Sequence, residues 1–250
     1  MNKNSNTYII AYSTILVVVV AAVLSYAAIS LRPKQEANVL IEKKGAILAS
    51  IGEGKDAASA PEGKDKYIDA QYDKYIKASY FVNAAGDATA VEAREALDAL
   101  SRLPEVFGKK EAMPVFQAEV SGKILYVIPL TGKGLWGPVW GYIALNQDCT
   151  TINGAVFDHK SETPGLGAEI ATPVFSDQFV GKQIFENGKF ASISLTKGKG
   201  SSEGNPYAVD AISGGTLTSN GVRDMLKTCI GDYVPYFEKM MKNVEQPENN

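Results

Sequence analysis

Residues 115–157 read Val-Phe-Gln-Ala-Glu-Val-Ser-Gly-Lys-Ile-Leu-Tyr-Val-Ile-Pro-Leu-Thr-Gly-Lys-Gly-Leu-Trp-Gly-Pro-Val-Trp-Gly-Tyr-Ile-Ala-Leu-Asn-Gln-Asp-Cys-Thr-Thr-Ile-Asn-Gly-Ala-Val-Phe. Within them Val115–Val120, Ile124–Leu130, Gly141–Leu145 and Thr150–Phe157 are short runs of β-prone residues, separated by Gly, Asn or Asp turns. Short strands joined by short turns predict a largely antiparallel sheet. Helical patterns before and after these runs supply the elements that pack on it, so the expected class is α+β. Phe190–Leu195 reads as a further strand, and Lys197–Pro206 as a Gly/Ser-rich loop.

Upstream, 28 consecutive residues between Lys3 and Arg32 carry no charge, and they include the run Ile15 to Leu24. At about 1.5 Å per residue this exceeds a bilayer core of about 30 Å. A cleaved signal peptide is the competing reading, because Ser25-Tyr-Ala-Ala28 offers small residues at a cleavage position. The uncharged run is long for a signal peptide, so an uncleaved anchor over residues 1–34 is expected. Lys3 stands alone before the span, while Arg32, Lys34, Lys43 and Lys44 follow it. A positive-inside count therefore places the large domain in the cytoplasm, although long domains also translocate against such counts.

Residues 35–114 read as a helical and mixed lobe. Residues 35–52 predict a juxtamembrane helix with Leu40, Ile47, Leu48 and Ile51 facing inward and Gly52 as its stop. Gly54–Lys66 is a polar insertion. Tyr67–Tyr80 mixes aromatics with charges and fits helix and strand equally. Thr89–Leu103 predicts a helix, with exposed turns around Gly86 and at Gly108–Ala112. Residues 115–240 form the main domain, and 241–250 a disordered tail.

Over residues 32–250, 24 basic residues face 28 acidic ones. The basic residues are scattered, which excludes a nucleic-acid stripe. Cys149 and Cys229 are too few for a disulfide framework or for a four-cysteine iron–sulfur cluster, and they can pair or stay free. His159 has no neighbouring metal-ligand cluster in sequence and is read as a hydrogen-bonding histidine. Ser213 lies outside any Gly-x-Ser-x-Gly elbow, so a hydrolase built from Ser213, His159 and Asp210 is a weak alternative.

The segment with the most chemistry is Asp210-Ala-Ile-Ser-Gly-Gly-Thr-Leu-Thr-Ser219. Gly214 and Gly215 free the backbone to approach a ligand, and Ser213, Thr216, Thr218 and Ser219 supply hydroxyls. Val222, Met225, Leu226 and Cys229 follow at helical spacing, so a helix over 220–230 is expected, with Thr218 or Ser219 as its N-cap. Its free N–H groups and positive dipole end would favour a phosphate diester beside Thr216. A loop that merely caps a helix shares every one of these features. Two further segments stand out. Thr131–Tyr142 sets glycines around Trp136, Trp140 and Tyr142, which suits either lining a flat ring or anchoring a core. Glu162-Thr-Pro-Gly-Leu-Gly167 contains Pro164-Gly165, the residues of a type II turn.

Asp210-x-x-Ser213-Gly214-x-Thr216 is similar to the acceptor motif at which a flavin transferase attaches FMN through its phosphate to a threonine, with Gly215 where Ala is usual. This motif follows, in order, the uncharged span, Leu31–Gln35, Gly134-Leu-Trp-Gly137 and Glu162–Gly167. The chain thereby resembles the C subunit family of the sodium-translocating NADH:quinone reductase. A close relative of that family is the G subunit of the ferredoxin:NAD oxidoreductase complex. The resemblance implies a single-pass protein of the bacterial inner membrane with an extracytoplasmic domain, FMN esterified to Thr216, and electron relay among other subunits. It further implies that Ser213, Gly214, Gly215, Leu217 and Thr218 surround the phosphate and that Asp210 serves the transferase. Gly134, Leu135, Trp136, Glu162, Thr163, Gly165 and Leu166 would frame the ring. A membrane-tethered interaction domain without redox chemistry is the remaining alternative.

Overall fold

The computed structural model describes residues 5–245, which fall into two units, one ending at Glu42 and one beginning at Lys43. A single helix, α1, runs from Asn6 to Ser50, through Ser25–Ala28 and through Pro33. It is long and apolar enough to cross a membrane. The anchor and the helix expected over 35–52 are thus one element, and residue 34 is no helix end. Pro33 only deprives the carbonyl of Ile29 of its intrahelical donor. The helix stops where Gly52 takes a φ of 83°. There the Glu53 and Gly52 N–H groups donate to the carbonyls of Leu48 and Ala49, each at 3.0 Å, as in a Schellman close. Ile47, Leu48 and Ile51 are buried as their spacing predicts, whereas Leu40 is half-buried.

In the second unit, helix α2 (Lys64–Tyr75) passes directly into strand β1 (Ile76–Val82). The stretch that fits helix and strand equally contains both. Strand β2 (Ala88–Val91) takes the start of the helix expected from Thr89, because Thr89, Ala90 and Val91 pair with Phe81, Tyr80 and Ser79. Helix α3 therefore begins only at Ala93 and ends at Ala99, and after one 3-10 turn α4 covers Leu103–Lys109. Gly108 belongs to α4, which the left-handed Lys110 closes. The exposed turn expected from Gly108 is therefore confined to the residues after the helix.

Strands β3 (Met113–Val120), β4 (Lys123–Lys133), β5 (Pro138–Asn146) and β6 (Ile152–His159) confirm the four β-prone runs. They join β1 and β2 in one antiparallel sheet of order β2-β1-β3-β4-β5-β6. Residues 76–91 and 113–159 share this sheet, which runs through the boundary expected between 114 and 115. Leu125–Leu130 and Gly141–Leu145 are buried without alternation, which marks β4 and β5 as covered on both faces.

Past the sheet come α5 (Pro173–Ser176), β7 (Phe185–Glu186), β8 (Lys189–Phe190), β9 (Ser194–Thr196), β10 (Ala208–Asp210) and α6 (Thr216–Glu245). The strand expected over Phe190–Leu195 is split at Ser192, whose φ is 61°. Its halves pair with different partners, β8 with β7 and β9 in parallel with β10. Helix α6 starts and ends well outside the expected 220–230 and lies against β4. The Cys229 thiol donates to the Thr131 carbonyl at 3.3 Å, and the Tyr233 hydroxyl donates to the Pro114 carbonyl at 2.8 Å. The first part of the expected tail, 241–245, is the end of α6. Residues 246–250 and Lys3 lie outside the described residues.

Candidate functional site: a cleft at the start of helix α6

Gly214 reverses the chain with a φ of 72°, and α6 begins two residues later at Thr216. The first bond into the helix runs from the Ser219 N–H to the Gly215 carbonyl at 2.8 Å. Thr218 and Ser219 are therefore inside the first turn, and neither is the N-cap that hydroxyl chemistry predicts. Both are buried. The Ser219 hydroxyl oxygen instead accepts the Ile212 N–H at 3.0 Å, bracing the turn that leads in. The N–H groups of Thr216, Leu217 and Thr218 meet no acceptor among the described residues, as the opening of a helix requires. Thr216 is exposed beside them.

Glu162 joins this turn to two others. Its side chain is only 5% exposed. One carboxylate oxygen accepts the Trp136 N–H at 2.8 Å, and the other accepts the Thr218 hydroxyl at 2.5 Å. The Glu162 N–H in turn donates to His159 Nδ1 at 3.1 Å. A buried carboxylate is costly unless hydrogen-bonded, and each charge-assisted bond recovers about 1.5–3 kcal/mol. Two glycines make room for it. A Cβ on Gly167 would stand 2.5 Å from both Glu162 Oε2 and Thr218 Oγ1, and one on Gly134 would collide with Glu162 Oε1. Pro164-Gly165 forms the expected type II turn, with a φ of 76° at Gly165 and a 3.1 Å bond from the Leu166 N–H to the Thr163 carbonyl.

These three segments enclose an open cleft of about 180 Å³. Leu135, Trp136, Leu166 and Leu217 line it while remaining 48%, 64%, 42% and 59% exposed. From Lys43 onward the described residues include only two other large hydrophobic side chains so exposed, Val174 and Val180. Apolar surface gathered in one place marks a binding face. Three N–H groups without an acceptor among the described residues and an exposed hydroxyl, beside one indole and three leucine side chains, suit a ligand with a phosphate and an aromatic ring. The residues present fit FMN.

Ten of the fourteen residues expected at the site line the cleft: Leu135, Trp136, Glu162, Thr163, Leu166, Gly214, Gly215, Thr216, Leu217 and Thr218. Gly134 and Gly165 shape the loops without lining it. Ser213 is exposed and also absent from its wall. Asp210 turns elsewhere: it accepts the N–H of Gly200, the N–H of Ser202 at 2.9 Å and the Ser202 hydroxyl at 2.7 Å. Those bonds, the Ser202 hydroxyl foremost, hold its carboxyl below the usual carboxylate range. Asp210 thus organises the loop after β9.

Trp140 and Tyr142 belong to β5 and lie outside the cleft, so of the aromatic residues in 131–142 only Trp136 faces it. Gly167 lines the cleft as well and is not among the expected residues. Its signal in the sequence is a second glycine in Gly165-x-Gly167, one more than the type II turn needs. Ser213, His159 and Asp210 share no hydrogen bond: His159 Nδ1 accepts the Glu162 N–H, and Asp210 accepts the Ser202 hydroxyl. Both cysteines are free and buried, and no group of three or more metal-ligand side chains occurs among the described residues.

Residues 134–231, from the Glu162-bound turn to the middle of α6, match the FMN-binding domain family. The C subunit of the Na(+)-translocating NADH-quinone reductase of Vibrio anguillarum is 31% identical over 90% of this chain and 91% of its own length. The protein of the same name from Neisseria meningitidis serogroup A is 33% identical over 93% of this chain and 92% of its own. The crystal structure of the C subunit from Parabacteroides distasonis superposes with a TM-score of 0.69 at 38% identity, covering 83% of this chain and 96% of that one. With this likeness spanning both the anchor helix and the cleft, the chain belongs to the C subunit family of the Na+-translocating NADH-quinone reductase.

Proposed function

We propose that this chain is the membrane-anchored FMN subunit of a Na+-translocating NADH-quinone reductase and that it carries FMN esterified through its phosphate to Thr216. It relays electrons between neighbouring subunits and has no substrate of its own. The observation that carries the site assignment is the contrast between two hydroxyls two residues apart. Thr216 is exposed beside three unpaired N–H groups, whereas Thr218 is buried and bonded to Glu162.

The bound flavin supplies one- and two-electron chemistry, and the protein supplies placement and electrostatics. The N–H groups of Thr216, Leu217 and Thr218 would hold the phosphate, where the helix dipole favours negative charge. Leu135, Trp136, Leu166 and Leu217 would offer apolar surface to the ring. Esterification is performed by a flavin transferase. Thr216 would be the nucleophile: its Oγ1 would take the FMN phosphorus from a flavin dinucleotide donor, with release of the nucleoside monophosphate and of the hydroxyl proton.

Helix α1 anchors the protein in the bacterial inner membrane, with the domain from Lys43 onward on the extracytoplasmic side. A covalent link suits that side, since lost flavin there has no cytoplasmic pool to replace it. The relatives described above carry the quinone-reductase name, which favours this complex over the ferredoxin-linked one. Peptide mass mapping after co-expression with a flavin transferase tests the assignment. An FMN-sized adduct on the peptide containing Thr216, lost in Thr216→Ala and kept in Thr218→Ala, is expected. An adduct retained in Thr216→Ala would overturn it.

A further inference from the structure

Glu162 lines the cleft, yet both of its carboxylate oxygens are engaged from within the protein. Oε1 takes the backbone N–H of Trp136 at 2.8 Å, and Oε2 takes the Thr218 hydroxyl at 2.5 Å. These bonds tie residues far apart in sequence, from the turn between β4 and β5 to the first turn of α6. Gly134 and Gly167 lack a Cβ where one would strike this carboxylate. The arrangement is a built junction and not a chance contact, because any side chain at either glycine would displace it.

We propose that Glu162 is the positioning residue for the acceptor threonine. By holding Thr218 it fixes the first turn of α6, and so the direction in which Thr216, two residues earlier, presents its hydroxyl. By holding the Trp136 amide it sets the apolar wall at a fixed height above that hydroxyl. The bond has a second consequence for specificity. It draws Thr218 into the protein and leaves Thr216 as the one threonine of the pair open to the phosphorus of the donor. This inference rests on the reading of Thr216 as the acceptor.

The test is a double-mutant cycle on the full chain, read as the initial rate of FMN adduct formation on the Thr216 peptide with a flavin transferase and a flavin dinucleotide. Thermal melting of each apoprotein shows that the compared samples are folded. Thr218→Val, which keeps the shape and removes the hydroxyl, is expected to lower the rate about tenfold, the equivalent of one lost buried hydrogen bond. Thr218→Ser, which restores the hydroxyl, is expected to recover most of it. Glu162→Met, which keeps the side-chain length but accepts neither hydrogen bond, is expected to lower the rate at least as far, and the Glu162→Met/Thr218→Val pair no further than Glu162→Met alone. Stability follows the same bond, so the rates are compared at a temperature well below every melting transition, where a loss of rate reports the placement of Thr216 and not a loss of folded protein. Single effects that multiply in the pair, or a Glu162→Met protein modified at the native rate, would overturn the proposal. An unmutated chain that acquires no adduct on the Thr216 peptide would instead refute the acceptor assignment itself.

Discussion

Gly132 of β4 and Met225 of α6 are packed so closely that a Cβ on the glycine would stand 2.7 Å from the methionine Cβ. One turn earlier on the helix, Gly221 faces the carbonyl of Lys133 with even less room, and there the obstacle is backbone. This pair of glycines lets α6 lie directly on the strand that leads into the 134–137 turn, which brings Thr216 and Trp136 to one cleft. Overpacking costs about 1–3 kcal/mol where neighbours can shift, and more where they cannot. Gly221→Ala is therefore expected to lower the urea midpoint more than Gly132→Ala, with an unchanged m-value in both. A Gly221→Ala protein as stable as the parent would show that the helix and strand are not in this close contact.

The two threonines of the first helical turn should differ as sharply in stability as in chemistry. Replacing Thr218 by Val leaves the Glu162 carboxylate buried with one partner fewer and is expected to cost about 1–3 kcal/mol. Replacing Thr216 by Val removes a hydroxyl that faces solvent and is expected to stay within about 0.5 kcal/mol of the parent. Chemical denaturation of the flavin-free protein measures both. Equal losses at the two positions would mean that the Glu162 bond does not persist in solution.

Much of this arrangement is legible in the sequence alone, and the exceptions have physical causes. Val115–Val120 and Ile124–Leu130 announce themselves because β-branched and aromatic residues cluster between turns. Tyr67–Tyr80 does not, since the change from helix to strand at Tyr75–Ile76 leaves each half too short for its period to show. The start of α6 reads too late because Thr218 and Ser219 are good N-cap residues, while their hydroxyls are spent on Glu162 and on the Ile212 amide. Thr89 reads as helical because its pairing with Phe81 is a tertiary fact. The least legible feature is Glu162, whose partners lie 26 and 56 residues away. Sequence identifies it as part of the site but gives no sign of its partners, since both carboxylate oxygens hold groups of the protein itself.

Asp210 predicts an acid-side effect. Its folded carboxyl lies below the ordinary range, chiefly through the Ser202 hydroxyl, with the Gly200 and Ser202 amides and the Ser201 hydroxyl adding to it against a smaller opposing contribution from burial. A group whose folded pKa is depressed contributes stability above its unfolded value, about 3.9 for Asp. That contribution is lost as pH falls through the folded value. Asp210→Asn is expected to flatten the acid limb of the stability–pH curve below about pH 5. It should also expose the Gly198–Gly204 loop to limited proteolysis at neutral pH. A protein whose acid limb and cleavage pattern both match the parent would remove Asp210 as the organiser of that loop.

The cysteines predict an effect of opposite direction on pH. Burial pushes the thiols of Cys149 and Cys229 up to about 12, assisted at Cys149 by the carboxylate of Asp148. In the unfolded chain a thiol ionises near about 8.5. The folded state therefore binds the protons more tightly, so this stabilisation is complete below about pH 8.5 and is lost as pH rises toward the folded value. Denaturation midpoints should fall between about pH 8 and 10, and a Cys149→Ala/Cys229→Ala protein, though less stable overall, should fall less over the same interval. At about pH 8 an aromatic disulfide reagent should leave both thiols of the native protein unmodified on the timescale of minutes, because the thiolate is the reactive form and neither sulfur is exposed. Both should react on addition of denaturant. Rapid labelling of Cys229 in the native state would have a specific meaning: the contact between its sulfur and the Thr131 backbone opens readily, and α6 does not hold the cleft against β4 as firmly as its packing implies.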